Sequence, residues 1–445
     1  MPDARLVTVG DIAEIIAMGP FGSNIKVETF QSDGIPIISG AHLHGVRLHD
    51  VDYNFVSVEH ADRLGRSNVK RGDVIFTHAG NIGQVAYIPE SSRYDRYIIS
   101  QRQFYLRCSD AADPRYMAYY FRSPAGRHAL LANASQVGVP SIARPASYLR
   151  SIQLVLPGKS EQVAIADTLS MLDDKIELNR RMNETLEAMA QAIFRDWFVD
   201  FGPVRRRMEG ATDPAAIMGG LTSDPDRVAE LAALFPTVLT NAGLPERWSE
   251  RPLDQVAEFL NGLALQKYPA APGGASLPVI KIAELRNGIT EKSGRASLEV
   301  PAKYVIKDGD YLFSWSGSLV AKVWTEGPGA LNQHLFKVSS AIYPQWFYAA
   351  WVEHHLPEFQ RIAASKATTM GHIQRGHLSA ATTVCPPSDA IRVMSSVLAP
   401  LWERRVHNEL ENRTLAETRD YLLPRLMSGQ VRVGDALDQV SEAAA

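Results

Sequence analysis

From Ser160 to Asp200 the chain carries neither proline nor glycine, and seam-type residues return at alternating steps of four and three. They are Ile165, Leu169, Leu172, Ile176, Asn179, Asn183, Leu186, Ala190, Ile193 and Trp197. A spacing averaging about 3.5 residues keeps one stripe of a helix facing a partner helix, so the segment predicts a coiled-coil seam. At about 1.5 Å per residue the helix would reach roughly 60 Å, too long for the inside of one small domain. Ser160 is placed to cap its start, with Glu161 in the first turn, and Gly202-Pro203 to end it.

The partner lies in the same chain. A shift of 229 residues carries Asn179 onto Asn408, Asn183 onto Asn412, Thr185-Leu186 onto Thr414-Leu415, and Val155-Leu156-Pro157 onto Val384-Cys385-Pro386. A second long helix, Ser388 to about Val433, follows, with Leu398, Leu401, Asn408, Asn412, Leu415 and Leu422 on its seam. It is less regular: Arg405 and Arg419 fall on seam positions, and Pro400 is expected to kink its first half. Asparagine in a seam lowers stability but fixes register, because a slip strands a buried amide. The other reading of these asparagines is that they are solvated flank residues.

The globular segments repeat as well. Gly72-Asp73-Val74-Ile75-Phe76-Thr77 is echoed by Gly309-Asp310-Tyr311-Leu312-Phe313-Ser314. Likewise Ser100-Gln101-Arg102-Gln103-Phe104 is echoed by Asn332-Gln333-His334-Leu335-Phe336, and Ile35-Pro36-Ile37 by Leu277-Pro278-Val279. Short apolar runs bounded by Gly, Asn, Ser and Pro predict strands and tight turns, with one helix near Pro114 to Ala132. The expected architecture is α+β: two mixed, strand-rich domains and two long antiparallel coiled-coil helices, related by a pseudo-twofold internal repeat. The expected segments are domain 1 (1–157), helix 1 (158–202), a connector (203–244), domain 2 (245–385), helix 2 (386–433) and a C-terminal tail (434–445). The connector holds a helical patch at Val228 to Leu234 and the run Arg205-Arg206-Arg207, read as a solvated turn in preference to a phosphate clamp.

Net charge is −3 over 445 residues, yet residues 1–157 and 245–385 each carry +2 while 158–202 carries −4. Polyanion contact needs a local basic face, not a basic total. Two distant cysteines, Cys108 and Cys385, fit a reducing cytoplasm. No basic-then-apolar leader and no apolar run of membrane-spanning length is present, so a soluble cytoplasmic protein without membrane contact is expected.

Catalytic motifs are missing. Gly158-Lys159-Ser160 has Gln153 where a phosphate-binding loop needs its first glycine, and no GxGxxG follows a strand. There is no Asn/Asp-Pro-Pro-aromatic tetrad of an adenine methylase, and Trp315-Ser316-Gly317 lacks the leading glycine of a nucleophile elbow. His42, His44 and His49, and the pair His354-His355, lack zinc-site spacing and read as loop histidines, so no catalytic or metal residue is expected.

In Glu161-Gln162-x-x-Ile165-Ala166-x-x-Leu169-x-x-Leu172-Asp173-x-Lys175-Ile176, Phe194-x-x-Trp197-Phe198, the tail Leu422-Leu423-Pro424-Arg425-Leu426-Met427-Ser428-Gly429 and the doubled Gly-Asp strand, the chain resembles the specificity (S) subunits of type I restriction–modification systems. The second helix departs from that family's pattern by lacking the Glu-Gln start and by carrying Pro400. The resemblance implies a non-catalytic subunit whose two target recognition domains each read one half of an asymmetric bipartite site in double-stranded DNA. It also implies that the paired helices act as a ruler and dock two modification subunits. Those partners would carry S-adenosylmethionine and methylate adenine N6; restriction (motor-nuclease) subunits, with ATP and Mg²⁺, would cut unmodified DNA. This chain itself would bind no cofactor.

On that implication, base-edge contacts call for polar side chains on loops with cations nearby. Aligning the two halves gives Ser23, Asn24, Lys26, Thr77, His78, Asn81, Gln101, Arg102 and Gln136 in the first domain. In the second it gives Gln266, Lys267, Ser314, Trp315, Ser318, Gln333, His334, Lys366 and Thr369. The competing function is a pure assembly protein whose paired domains bind protein or sugar.

Overall fold

A computed structural model describes residues 3–22, 24–135, 138–220, 224–365 and 371–443. The chain divides into two compact units, one comprising the chain up to Lys175 and from Leu415 onward, the other Ile176–Thr414. The division crosses both long helices, Lys159–Phe194 and Ser388–Ser428, so each unit holds a sheet-rich domain and a stretch of each helix.

The first unit is built on two four-stranded sheets. One is antiparallel, in the order Ala13–Met18, Gln103–Cys108, Asp73–Thr77, Val85–Tyr87. The other is mixed, in the order Asn54–Val56, Ile35–Ile38, Arg96–Ile99, Asn68–Lys70, with Ile37 opposite Ile98 in its parallel pair. A two-stranded pair, Arg5–Thr8 with Gln153–Leu156, closes the domain where the chain enters the long helix. Ile38, Ile75, Tyr97, Ile99 and Tyr105 fill part of the core. The second unit repeats this plan strand for strand. Its antiparallel sheet runs Glu258–Asn261, Leu335–Ser339, Tyr311–Ser314, Ala321–Val323. Its mixed sheet runs Arg295–Ser297, Ser276–Ile280, Gly329–Leu331, Val305–Ile306, and Ser249–Pro252 pairs with Thr382–Cys385.

The doubled Gly-Asp motif has a shared physical cause. Gly72 (φ +83°) and Gly309 (φ +88°) turn the chain in the left-handed region, which an L side chain enters only with strain. The following aspartate then accepts a backbone N–H from three residues back, Lys70 to Asp73 at 2.8 Å and Lys307 to Asp310 at 2.9 Å. Each carboxylate also holds a cation on the neighbouring strand, Arg107 at 2.7 Å and Lys337 at 2.8 Å. One turn, fixed the same way twice, sets the entry to both central strands.

The helices pair antiparallel, as expected. In the second unit Asn179 Nδ2 donates to Asn412 Oδ1 at 3.0 Å and to Glu411 at 2.7 Å. Asn408 Nδ2 donates to Asn183 Oδ1 at 2.8 Å, and Arg405 meets Glu187 at 3.1 Å. Exchanging each residue for its repeat mate, 179 for 408 and 183 for 412, turns one asparagine pair into the other. The asparagines therefore straddle a local dyad inside the seam; Asn179 and Asn408 are fully buried and Asn183 nearly so, which removes the solvated-flank reading for these three. In the first unit the seam arginine Arg419 is taken up by Asp173 at 2.8 Å, which also accepts from Tyr119 at 2.5 Å.

Several expectations change in detail. The first long helix starts at Lys159, with the Gly158 carbonyl accepting from Glu161 and Gln162, so Ser160 lies inside the helix and is not its cap. It continues as a π-helical segment, Arg195–Val199, and the run stops at Phe201, whose φ is +51°. Gly202-Pro203 starts the next helix, Gly202–Met208, because proline is tolerated in a first turn. Trp197 leaves the seam and packs against Phe235 of the connector, ring centres 5.7 Å apart. Arg205-Arg206-Arg207 is no solvated turn: it is helical, with Arg206 on Asp196 and Arg207 on the Ala232 carbonyl. The second long helix passes through Pro400 without a break, with Leu398 and Trp402 buried on either side. Pro114 to Ala132 holds two helices, Pro114–Arg122 and Pro124–Leu131, split at Ser123, whose hydroxyl accepts from Gly126 N–H. The connector's helical patch is Pro225–Ala233, and Val433–Ala443 is helical.

Candidate nucleic-acid interface

In each unit, three loops are tied together at one end of the antiparallel sheet. In the first unit the loop after Asp73–Thr77 meets the loop before Gln103–Cys108, where His78 N–H donates to the Arg102 carbonyl at 2.9 Å. It also meets the segment around residue 140: Gly80 N–H donates to the Pro140 carbonyl at 2.9 Å and Ile142 N–H to the His78 carbonyl at 2.9 Å. In the second unit the same three bonds recur. Trp315 N–H donates to the His334 carbonyl at 3.3 Å, Gly317 N–H to Gly371 at 2.7 Å and Ile373 N–H to Trp315 at 2.9 Å. This backbone correspondence aligns His78 with Trp315, Arg102 with His334 and Ile142 with Ile373.

A fourth segment is anchored to each cluster by a glycine. A β-carbon on Gly19 would lie 2.0 Å from the Ser100 oxygen, and one on Gly262 would lie 2.2 Å from the Asn332 oxygen. Only glycine permits these approaches, and neither position stands out in the sequence without the partner strand. Segments 19–26 and 262–267 are thereby held beside the loops.

The structure gathers His78, Gln101 and Arg102 in the first cluster. The His78 ring contacts the Gln101 carbonyl at 3.1 Å, and burial pushes its imidazole below the ordinary range, leaving it neutral at neutral pH. Gln101, Arg102 and Asn81 are exposed; Asn24 and Lys26 are exposed on the glycine-anchored segment. Thr77 is different. It is 2% exposed and its hydroxyl bonds Gln84 at 3.3 Å, so it supports the loop from below.

In the second cluster Trp315 Nε1–H donates to Asn261 Oδ1 at 2.9 Å and to the Gln333 carbonyl at 3.0 Å, and Ser316 Oγ lies 2.9 Å from His334 Nδ1. The Trp315 and His334 rings are 5.7 Å apart. Gln333 is half-buried there, while Gln266, Lys267 and Ser318 are exposed. Ser314 is 0% exposed and bonds the Val320 backbone, the counterpart of Thr77. Ser23, Gln136, Lys366 and Thr369 lie outside the described residues.

Sequence reasoning missed Asn261, Ser316 and His372, whose ring is 6.4 Å from that of Trp315. It also missed Arg144 and Arg375, which the Ile142–Ile373 correspondence places two residues beyond each third loop, immediately before or at the start of the helices Pro145–Ser151 and Arg375–Ala380. Arg144 stands in the left-handed region at φ +46°, a costly conformation for a residue with a β-carbon. Segments 19–26, 78–83, 100–103 and 138–144 contain Lys26, Arg102 and Arg144 and no aspartate or glutamate. Segments 262–267, 315–320, 332–335 and 366–375 contain Lys267, Lys366 and Arg375 and again no carboxylate. Lys26, Arg102, Arg144, Lys267 and Arg375 have no ion-pair partner among the described residues. Elsewhere arginines are repeatedly paired, as Arg47, Arg107, Arg115, Arg206 and Arg413 are.

Comparison with known proteins agrees with this plan. Residues 2–188 match the family described as type I restriction modification DNA specificity domain. The type I restriction enzyme HindI specificity subunit of Haemophilus influenzae is 26% identical over 408 residues, covering 82% of this chain and 87% of the relative. The MjaIX specificity subunit of Methanocaldococcus jannaschii is 22% identical over 449 residues, covering 96% and 93%. Among solved structures, the type I restriction–modification S subunit from M. genitalium superposes with a TM-score of 0.52 at 14% identity, covering 95% of this chain and 96% of that one. The match over residues 2–188 and the two relatives thus make the chain similar to type I restriction–modification specificity subunits, and the solved S subunit shares its fold.

Proposed function

We propose that this chain is the non-catalytic DNA-reading subunit of a type I restriction–modification assembly. Each three-loop cluster takes one half of an asymmetric bipartite site in duplex DNA, and the paired helices set the separation of the halves. The carrying observation is the charge pattern: the loop segments of each cluster carry cations and no carboxylate of their own, which favours contact with phosphate. Between those cations stand His78 and Gln101 in one cluster and Gln333, His334 and Trp315 in the other. Different side chains on one framework suit two different half-sites. The helix surface docks two modification subunits, which use S-adenosylmethionine to methylate adenine N6. Restriction subunits with ATP and Mg²⁺ then cut unmodified DNA in the cytoplasm.

The test is salt-dependent binding of the purified chain, with its modification partner, to duplex DNA. The five described cations, Lys26, Arg102, Arg144, Lys267 and Arg375, give a log–log salt slope of about −4 to −5. Mapping N6-methyladenine in host DNA with and without the protein then yields the site, and exchanging residues 1–157 for another family member's domain replaces one half of it. Indifference to both DNA and salt would instead favour an assembly protein that binds protein or sugar.

A further inference from the structure

Among the described large apolar side chains Phe21 is the most exposed, at 85%. Isolated surface apolar residues are common and need no partner; the anchoring of this one is what distinguishes it. On one side, Gly19 N–H donates to the Gln103 carbonyl at 2.8 Å, and the Gly19 backbone lies against Ser100 with no room for a β-carbon. On the other side Asn24 N–H donates to the Phe21 carbonyl at 2.9 Å, and the His60 ring contacts the Asn24 carbonyl at 2.7 Å. The ring is thus presented from a segment tied at Gly19 and Asn24; Gly19 lies against Ser100, the residue before Gln101 and Arg102, and the cation Lys26 follows two residues after Asn24. A partner matched to this surface carries negative charge around an apolar patch. The floor of the DNA major groove does so wherever thymine offers its 5-methyl group between the phosphate rails.

We infer that Phe21 reads a thymine 5-methyl in the half-site taken by the first unit. The inference rests on the DNA-reading function proposed above and adds a base-class preference to it. The second unit supplies a built-in control. Gly262 makes the same close approach, to Asn332, but two residues further on stands Ala264 where the first unit has Phe21. The second half-site has no equivalent contact.

The experiment uses the full chain assembled with its modification subunits and measures affinity for duplexes bearing the mapped site. Thymines of one half-site at a time are replaced by deoxyuracil, which removes only the methyl group. Replacement in the first half-site weakens wild-type binding by about three- to fivefold per methyl contacted. Phe21→Ala loses the same factor on the natural duplex and is indifferent to deoxyuracil, while Phe21→Leu restores part of the preference. Replacement in the second half-site affects wild type and Phe21→Ala equally. Three results overturn the inference: a mapped first half-site without thymine, wild-type indifference to deoxyuracil there, or Phe21→Ala losing as much on the deoxyuracil duplex as on the natural one. Failure of the wild-type assembly to bind any duplex would instead overturn the parent function.

Discussion

The two asparagines of the Asn183–Asn408 pair have unequal surroundings, and substituting each by leucine, a residue of similar shape, exposes the difference. Asn183 Oδ1 accepts from Asn408, and its Nδ2 donates to the Arg405 carbonyl at 3.2 Å and to Glu409 at 3.1 Å. Asn408 donates its Nδ2 but its Oδ1 has no partner among the described residues. Asn408→Leu removes one hydrogen bond and orphans the Asn183 oxygen, but it also deletes the oxygen that was already orphaned. The number of buried unpaired groups does not change, and stability stays within about 1 kcal/mol of wild type. Asn183→Leu strands the Asn408 Nδ2 beside its already unpartnered Oδ1, so that a fully buried amide has no partner at all, and costs about 2–4 kcal/mol. The double variant leaves neither amide behind and returns to wild-type stability or above, since an apolar seam is the more stable one. Urea unfolding of the full chain gives all four corners of this cycle. Equal costs for the two single variants, or a double variant as weak as Asn183→Leu, would refute the assignment of bonds within the seam.

Burial pushes the Glu353 carboxyl up to about 7 from 4.5, against the opposing pull of Arg405, with the Tyr311 hydroxyl 3.5 Å away. A folded-state value above the unfolded one means that stability is fullest below about 4.5 and is lost as pH rises through about 7. Glu353→Gln removes that loss, gaining up to about 3 kcal/mol at pH 8, read as a flatter profile of unfolding midpoint against pH. Arg144→Ala and Arg375→Ala each reduce the salt slope of DNA binding by about 1 while leaving the methylated sequence as it was; a changed sequence would contradict phosphate contact. A four-residue insertion beside Asn179, matched by one beside Asn412 so that the seam stays in register, lengthens each helix by about 6 Å. Methylation mapping should then show about two more unread base pairs between unchanged half-sites.

Much of the frame was legible because it was written twice. The Gly-Asp turn, the strands around Ile35-Pro36-Ile37 and Leu277-Pro278-Val279 and the seam asparagines each repeat, and a repeat in two contexts outweighs a single propensity. What stayed hidden depended on partners distant in sequence. Which asparagine meets which follows only from antiparallel pairing. Thr77 and Ser314 looked like loop residues but close strands that are buried along their whole length, so alternation gave no warning. The close approach of Gly19 to Ser100, and the equivalence of Arg144 and Arg375, rest on cross-chain backbone bonds that no local pattern encodes. The split at Ser123 was readable from Pro124, whose missing N–H favours a first turn, and periodicity on either side masked it.

The bonds that gather the loops of each cluster are made by main-chain atoms, Gly80 to Pro140 and Ile142 to His78 in one, Gly317 to Gly371 and Ile373 to Trp315 in the other. Many of the exposed side chains of these segments, Gln101, Arg102 and Lys267 among them, carry little of the load of folding. A lineage can therefore trade them freely, acquiring a new target without first acquiring a compensating repair, and such turnover is what a defence against changing invaders would reward.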